Sequence, residues 1–407
     1  MENSPVLKIK SAGPINEANI DIKKINIVGG VNGSGKTTVA KVLYCFLKVF
    51  SNKKEQYLHK EFISELNRFM KILSYSGIVK NYHEFDNDVP YNIVFEEFKM
   101  IKEFFLKNDL LKEFAAPYEK PEDTYKNIFG KMDLLIDLIE CDNENFYFEV
   151  LDLLMGDEEV FNLKDSGIVF CNQDFKFISN NVGESYFSNF IIPDVFYVDS
   201  LSILDLKGNH ILFKEHIRYL KDTLNEESDE LSEKGEEILL ITEKIIKGKY
   251  LDYDVDFGFR KEKLDEVSYT NRTPSGIKQI GVIQILLDKG KLKKDSYLII
   301  DEPEVNLHPE WQFKFAEILV LLAKELNITI YLNSHSPMFI EAIEVLSQYY
   351  DMEEDTNFYM TEKHDENTYN FVKVDNNNLY DLYDNLAKPY DAIEVYRLKA
   401  EYKKGNY

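Results

Sequence analysis

The sequence is poor in cysteine and has no long apolar run. Its three cysteines, Cys45, Cys141 and Cys171, are widely spaced and odd in number, so they predict neither a disulfide framework nor a C-x-x-C metal pair. No stretch approaches the ~18 uninterrupted apolar residues of a membrane helix, and no charged N-terminal region precedes an apolar one. These absences predict a cytoplasmic protein with reduced thiols and no membrane segment.

Positive charge is also scarce. Lysine and arginine number 48 against 72 aspartates and glutamates, which leaves a formal net charge of −24. A field of that sign repels a phosphate backbone unless basic residues are gathered locally. The dense basic cluster comprises Lys289, Lys291, Lys293 and Lys294, and a solvated loop before a strand explains it as well as a DNA-binding surface does. Direct DNA binding is therefore an alternative that the charge disfavours.

What the chain does contain is an ordinary globular composition. Its 407 residues are 44% apolar and 14% aromatic, which excludes wholesale disorder and predicts roughly two or three domains. The pattern predicts strands and a glycine-rich turn in 1–50, a helical insertion in 51–165, return strands in 166–206, a second helical segment in 207–250, and alternating strands and helices in 251–407. Such alternation indicates a parallel sheet covered on both faces.

Individual elements are predicted from the period of the apolar residues. The predicted strands are 6–10, 18–22, 25–29, 167–171, 175–178, 195–198, 297–300 and 328–332, with a hairpin at 251–271. The predicted helices begin at 36, 275 and 309 or span 62–73, 98–105, 132–140 and 210–249.

A glycine-rich octapeptide directly follows the strand predicted at 25–29. Residues 30–37 match G-x-x-x-x-G-K-[ST] and run into a predicted helix, which is the context that a phosphate-binding P-loop requires. Phosphate must be met closely by backbone N–H groups, so the loop needs small residues free to adopt positive φ, and the helix N-terminus favours the anion. An accidental glycine-rich turn is the alternative. The motif predicts that Lys36 reaches the β- and γ-phosphates and that Thr37 binds Mg²⁺; the predicted nucleotide-contacting residues here are Gly30, Asn32, Gly33, Ser34, Gly35, Lys36, Thr37 and Thr38.

Two acidic residues end the apolar strand predicted at 297–300. Parallel strands deliver their carboxyl ends to one edge of the sheet, so Asp301 can bind Mg²⁺ near the P-loop. From the same edge, Glu302 can lie beside a water molecule aimed at the γ-phosphate. A strand that merely stops at a polar turn is the alternative, and the nearby P-loop favours the catalytic interpretation.

Two further segments narrow the class. Ser275 and Gly276 open a predicted helix, where a hydroxyl and backbone N–H groups can form a second anion site, although a simple helix cap has the same sequence. His335 follows the strand predicted at 328–332 and should lie at the same edge as Asp301. That placement favours a γ-phosphate contact over the structural role usual for a lone histidine.

The order of these motifs resembles that of ABC-type ATPase heads, specifically prokaryotic AAA-family proteins related to SMC-type repair ATPases and to OLD nucleases. Residues 301–312 and 334–337 carry the most specific part of this resemblance, and residues 7–47 and 275–286 add to it. The two helical regions carry none of it. The resemblance implies an α/β P-loop NTPase fold with a mostly parallel sheet flanked by helices, an N-terminal antiparallel β part and inserted helical subdomains.

The resemblance also implies a head-to-head homodimer with two ATP molecules at its interface. Each nucleotide would be held by Lys36 and Thr37 of one subunit and by Ser275 and Gly276 of the other. ATP and Mg²⁺ are thus the expected cofactors.

The same resemblance assigns roles to four residues near the acidic pair. Asn306 and His308 would face the partner subunit, Glu302 would polarise the attacking water, and His335 would sense the γ-phosphate. One expected feature is not assigned: ABC-type heads carry a metal-contacting glutamine on a loop, and Gln173 lacks the surroundings of such a loop.

These inferences predict an ATP-hydrolysing switch without an effector of its own. After the last predicted strand, too few residues remain for the acidic nuclease domain of OLD proteins. Relatives of this build occur in the PARIS and Septu anti-phage systems, which implies a sensor subunit with a separate nuclease or toxin. The alternatives are a DNA-repair ATPase that clamps a duplex and an ATP-locked scaffold; GTPases and small-molecule kinases fit less well, since no N-K-x-D motif is present.

Overall fold

The chain divides into two compact units in the computed structural model. The first unit comprises Met1–Ser51, Leu154–Gly208 and Lys214–Tyr407, and the second comprises Asn52–Leu153 and Asn209–Phe213. The predicted segment boundaries stay a prediction. The residues that the structure describes are 4–51, 62–63, 65–67, 69–71, 74, 85, 91–107, 130, 132–133, 167–171, 176–178, 192–199, 203–205, 215–253, 256–262, 267–376 and 378–403.

The described elements are numbered here in chain order. The strands are β1 (Val6–Ala12), β2 (Ile15–Asp21), β3 (Ile25–Gly29), β4 (Gly167–Cys171), β5 (Lys176–Ile178), β6 (Val195–Val198), β7 (Gly248–Tyr253), β8 (Asp256–Lys261), β9 (Val267–Tyr269), β10 (Tyr297–Asp301), β11 (Thr329–Ser334), β12 (Thr356–Lys363) and β13 (Tyr369–Val374). The helices are α1 (Lys36–Val49), α2 (Tyr91–Lys107), α3 (Glu215–Asn225), α4 (Glu233–Ile246), α5 (Ser275–Asp288), α6 (Pro309–Leu326), α7 (Pro337–Tyr349) and α8 (Tyr380–Lys403).

A ten-stranded mixed sheet lies at the centre of the first unit, in the order β5-β4-β1-β2-β13-β12-β3-β11-β10-β6. Strands β12, β3, β11, β10 and β6 are parallel to their neighbours within that run. At the other end, β1 pairs antiparallel with β2 and β4, and β4 pairs antiparallel with β5. The predicted class, an α/β fold with a parallel sheet and an N-terminal antiparallel part, is confirmed.

The parallel strands beside the P-loop are buried along their whole length. β3, β10 and β11 contain no exposed residue, as expected where helices cover both faces of a parallel sheet. α6 is one of the helices that flank them. It begins with Pro309, whose missing N–H costs nothing at that position, and it buries the predicted apolar face of Phe315, Ile318, Leu319, Leu322 and Leu326.

Several predicted elements differ from the observed ones. The predicted helix 210–249 is two helices in its described part, because Ser232 caps α4 by accepting a hydrogen bond from the Gly235 N–H and the acidic residues before it repel one another in a continuous helix. The hairpin predicted at 251–271 is a three-stranded sheet, β7-β8-β9. β12 and β13 were not predicted, because polar residues interrupt their apolar pattern.

The described part of the second unit is helical except at Phe85. α2 includes the helix predicted at 98–105, and the described residues between 62 and 74 are helical as predicted. Phe62 and Phe98 pack edge to face, with their ring centroids 5.5 Å apart. Most of the helix predicted at 132–140 lies outside the described residues.

The sequence predicted reduced thiols and no membrane segment. Cys45 and Cys171 are both present as thiols, while Cys141 lies outside the described ranges. Among the helices that the structure describes, none combines the length and apolarity that a membrane crossing requires.

Candidate functional site

The P-loop leaves β3 at the sheet edge and turns directly into α1. Gly33 and Gly35 have φ values of 75° and 92°, a region that side chains disfavour and glycine adopts freely. Gly30 serves another purpose, since a Cβ atom there would lie 1.9 Å from Thr361 Oγ1. Two glycines of the loop therefore adopt the left-handed backbone conformation, and a third, Gly30, lies close to β12.

Lys36 is folded back onto its own loop. Its Nζ donates hydrogen bonds to the carbonyl oxygens of Gly30 and Val31, at 3.0 and 2.8 Å. Burial lowers the pKa of Lys36 to about 8, against the opposing effect of nearby acidic residues, of which Asp301 is the strongest. A buried ammonium group of this kind is stabilised when the anionic oxygens of a triphosphate replace the carbonyl oxygens as its hydrogen-bond partners.

Asp301 and Thr37 form the candidate metal pair. Thr37 Oγ1 donates to Asp301 Oδ2 at 2.7 Å, while Asn333 Nδ2 donates to Asp301 Oδ1 at 2.9 Å. The Tyr197 hydroxyl lies 3.4 Å from Asp301 Oδ2. Hydroxyl and carboxylate oxygens are the hard ligands that Mg²⁺ prefers, usually completed by phosphate and water. The pair therefore fits Mg²⁺, and Asn333 and Tyr197 fix the orientation of the carboxylate.

Glu302 and His335 lie beside that pair at the same edge. His335 Nε2 is 3.3 Å from Glu302 Oε1, and both side chains keep part of their surface exposed. Glu302 has a φ of 54°, an unusual value for a residue with a side chain, and its N–H donates to the Asn333 carbonyl oxygen at 3.0 Å. Burial, together with the charge of Lys36, lowers the pKa of His335, against the opposing charge of Glu302. This shift favours the neutral imidazole.

The segment that follows Glu302 turns back toward the loop of His335. The Glu304 carboxylate accepts hydrogen bonds from the backbone N–H groups of His335 and Ser336. Asn306 is exposed with a φ of 62°. His308 is also exposed and caps α6, with its ring nitrogen 3.4 Å from the Glu310 N.

The start of α5 packs against this same segment within one chain. A Cβ atom on Gly276 would lie 2.9 Å from the Asn306 carbonyl oxygen and 2.8 Å from Leu307 Cδ2. Gln279 Nε2 donates to the Glu302 carbonyl oxygen at 3.2 Å. Gly276 thus has a packing role in its own subunit, and its contact with a partner's nucleotide, like that of Ser275, stays a prediction.

Five predicted residues lie together at one edge of the sheet: Lys36, Thr37, Asp301, Glu302 and His335. Asn32 and Thr37 are exposed and Thr38 is half-buried, as residues that contact a ligand can be. Gln173 lies outside the described residues. The contacts of Asn333, Tyr197 and Glu304 were not predicted, although the position of Asn333 beside His335 at the end of β11 was a signal.

No larger acidic metal cluster is present in the part of the chain that the structure describes. Within it, no three histidine, cysteine, aspartate or glutamate side chains gather as a metal site.

The basic cluster near residue 290 is largely neutralised by acidic side chains. Lys289 Nζ lies 2.9 Å from Asp252 Oδ2, and Lys293 Nζ lies 2.9 Å from Asp229 Oδ2. Lys291, which is buried, lies 3.2 Å from Glu226 Oε2. These pairs favour the interpretation of a structural loop over that of a phosphate-binding surface.

Comparisons with known proteins give a match to one family model and similarities to solved structures. A family model described as AAA ATPase domain matches residues 7–340. An SMC head domain from Thermotoga maritima matches with 10% identity and a TM-score of 0.38, covering 92% of this chain and 100% of that one. An SmcHead bound to the C-winged helix domain of ScpA matches with 10% identity and a TM-score of 0.43, covering 92% of this chain and 98% of that one. Among curated proteins, no match to the chain was found.

Proposed function

The chain belongs to the AAA ATPase domain family, and from that premise we propose that it hydrolyses ATP at the edge of the sheet where β3, β10 and β11 end. One observation carries the proposal. Thr37 Oγ1 donates a hydrogen bond to Asp301 Oδ2 at 2.7 Å. Next to this pair, His335 Nε2 lies 3.3 Å from Glu302 Oε1. These are the groups required to hold a triphosphate and to activate a water molecule beside it.

Each side chain has a distinct task in this proposal. Lys36 leaves its two loop carbonyls and binds the β- and γ-phosphates, while Thr37 and Asp301 would hold Mg²⁺. When bound, Mg²⁺ would neutralise charge on the phosphate oxygens. Glu302 orients the attacking water and accepts its proton, and His335 donates a hydrogen bond to the γ-phosphate.

Hydrolysis is proposed to depend on closure of a homodimer. In this arrangement Ser275 and Gly276 of one subunit contact the ATP held by the P-loop of the other. The packing of Gly276 against Asn306 supports the idea, because it places the start of α5 beside the segment after Glu302, which is expected to face the partner.

The biological role that we propose is a nucleotide-dependent switch. The dimer would act as the sensor subunit of an anti-phage system and control a separate nuclease or toxin. The proposal draws on the family resemblance and on the lack of a second recognised active-site motif in the sequence.

Replacing Glu302 by glutamine tests the hydrolytic step. The amide keeps the size of the side chain but is a poor base, so turnover should fall by about 10²- to 10⁴-fold while ATP binding persists. Phosphate release and equilibrium binding of ATP are the two measurements. The matched control is Glu310→Gln, which changes an exposed carboxylate at the start of α6 and should hydrolyse ATP normally. Unchanged turnover in Glu302→Gln would remove Glu302 from the mechanism.

The two alternative functions are less well supported. A DNA clamp needs a basic groove, and the densest basic cluster is paired with carboxylates. A scaffold whose subunits are only held together by ATP needs no general base. That function therefore does not explain why Glu302 and His335 lie in contact.

A further inference from the structure

We propose that the Glu304 carboxylate positions His335 for its contact with the γ-phosphate of bound ATP. Glu304 is then a positioning residue that acts through the loop after β11 and does not touch the nucleotide. The inference rests on the proposed function, because it takes His335 as the γ-phosphate contact.

Two hydrogen bonds connect Glu304 to the loop that carries His335. Glu304 Oε1 accepts from the His335 N–H at 2.6 Å and from the Ser336 N–H at 3.0 Å. One side-chain atom therefore fixes two consecutive peptide units of the loop that carries the imidazole.

Helix α7 has an N-cap residue other than Glu304. Ser336 is the N-cap residue of that helix, and its Oγ accepts from the Phe339 N–H at 3.2 Å. The Ser336 hydroxyl also donates to Gln312 Oε1 at 2.8 Å. The N–H groups that Glu304 accepts from belong to His335 and to the N-cap residue Ser336, so these bonds act on the loop before the helix. The Ser336 N–H also donates to Ser334 Oγ, at 3.1 Å.

The carboxylate of Glu304 lies in a desolvated environment. Its Oε2 is screened from solvent, and the Ser334 hydroxyl also forms a hydrogen bond with this carboxylate. Burial raises the pKa of Glu304, and the hydrogen bond from the His335 N–H opposes that rise. A carboxylate desolvated to this extent is unfavourable unless its bonds compensate, which indicates that this loop geometry matters.

The contact between Glu304 and the loop after β11 connects two parts of the candidate site. Glu304 lies two residues after Glu302, so its bond joins the segment of the general base to the loop of the histidine. The imidazole of His335 lies 3.3 Å from Glu302, and a misplacement of about 1 Å at such a site can reduce the rate by up to about 10²-fold.

The test compares three variants of Glu304 that separate the effect of side-chain length from that of side-chain charge. Glu304→Gln keeps an oxygen at the same distance without the charge, Glu304→Asp keeps the charge but shortens the side chain, and Glu304→Ala removes both. The matched control is Glu341→Ala, an exposed carboxylate on α7. We expect the glutamine variant to keep most of the wild-type kcat, and the aspartate and alanine variants to lose up to about 10²-fold. In the aspartate and alanine variants, the Kd for ATP should change much less than kcat.

A second measurement uses the full chain without nucleotide. Hydrogen exchange of peptides covering residues 334–338 should accelerate in Glu304→Asp and Glu304→Ala but not in Glu304→Gln or the Glu341 control. Exchange over residues 329–333 of β11 should stay unchanged in every variant.

The possible outcomes distinguish this inference from the proposed function. Wild-type kcat in Glu304→Ala, equal losses in the glutamine and alanine variants, or unchanged exchange at 334–338 would each overturn it. Failure of the wild-type protein to hydrolyse ATP would overturn the proposed function, and the inference, which rests on it, would fall with it. Hydrogen exchange would then report only whether Glu304 holds the loop.

Discussion

Gly30 is the residue at which the P-loop closely approaches Thr361 of β12. An added Cβ atom would lie 1.9 Å from Thr361 Oγ1 and 2.9 Å from Thr361 Cβ, so β12 or the loop must move. We predict that Gly30→Ala destabilises the protein by roughly 1–3 kcal/mol, the usual range for overpacking. It should also weaken ATP binding, because the loop that presents the N–H groups shifts. Chemical denaturation and equilibrium nucleotide binding measure the two effects.

A second variant controls for this explanation. The Thr361 hydroxyl is buried without a hydrogen-bond partner among the described residues, so Thr361→Ala alone should cost little. Combined with Gly30→Ala it removes the 1.9 Å contact, and part of the lost stability and binding should return. Strictly additive effects in this double-mutant cycle would mean that Thr361 is not the cause.

The residues of the site were predictable from the sequence to different degrees. Lys36 and Thr37 follow from a contiguous motif, and Asp301 follows from its place at the end of an apolar strand. The contacts of Asn333 and Tyr197 with Asp301 depend on which strands flank β10, and a single sequence does not contain that order. Side chains that act across neighbouring strands were therefore missed.

Gln284 joins three elements around the start of the three-stranded sheet. It is fully buried in α5, where Oε1 accepts from the Tyr250 N–H at 2.7 Å. Its Nε2 donates to Thr242 Oγ1 at 3.1 Å and to the Gly248 carbonyl oxygen at 3.3 Å. A single amide on α5 thus satisfies polar groups of both α4 and β7.

We predict that Gln284→Leu destabilises the protein by several kcal/mol. Leucine removes the acceptor of the Tyr250 N–H and the donor to Thr242 Oγ1 and the Gly248 carbonyl oxygen, and each buried group left unsatisfied costs about 1–3 kcal/mol. The control is Gln348→Leu, an exposed position on α7, which should stay within about 0.5 kcal/mol of wild type. Denaturant unfolding followed by circular dichroism measures both. A stability equal to that of the control would show that the Gln284 network contributes nothing.

The elements that the sequence predicted well are those with a plain apolar pattern. β3 and β10 were predicted within one residue, since each is a short, continuously buried run. β12 is also buried over its first six residues, but Thr356, Asn357 and Thr361 lie among them. Their environment comes from distant parts of the chain, for example the bond from Asn357 Nδ2 to the Asp21 carbonyl oxygen at 2.8 Å. Local composition does not contain that information.

At the scale of the whole molecule, the proposed dimer makes each ATP site depend on two chains. Lys36 and Ser275 would then belong to different subunits at every site. A lesion in either residue inactivates both sites of a homodimer. A mixed dimer of the two lesions differs, because it combines one doubly damaged site with one intact site.

We therefore predict that two inactive variants restore activity when mixed. Lys36→Ala removes the phosphate contact, and Ser275→Arg places a bulky side chain at the start of α5. After exchange at equal concentrations, half of the dimers are mixed and each has one intact site, so about a quarter of the wild-type ATPase rate should return. The matched control mixes Lys36→Ala with Thr37→Ala, two lesions on the P-loop side, which leave no intact site in any combination. Equal rates in both mixtures, or no recovery in the first, would show that each site is completed within a single chain.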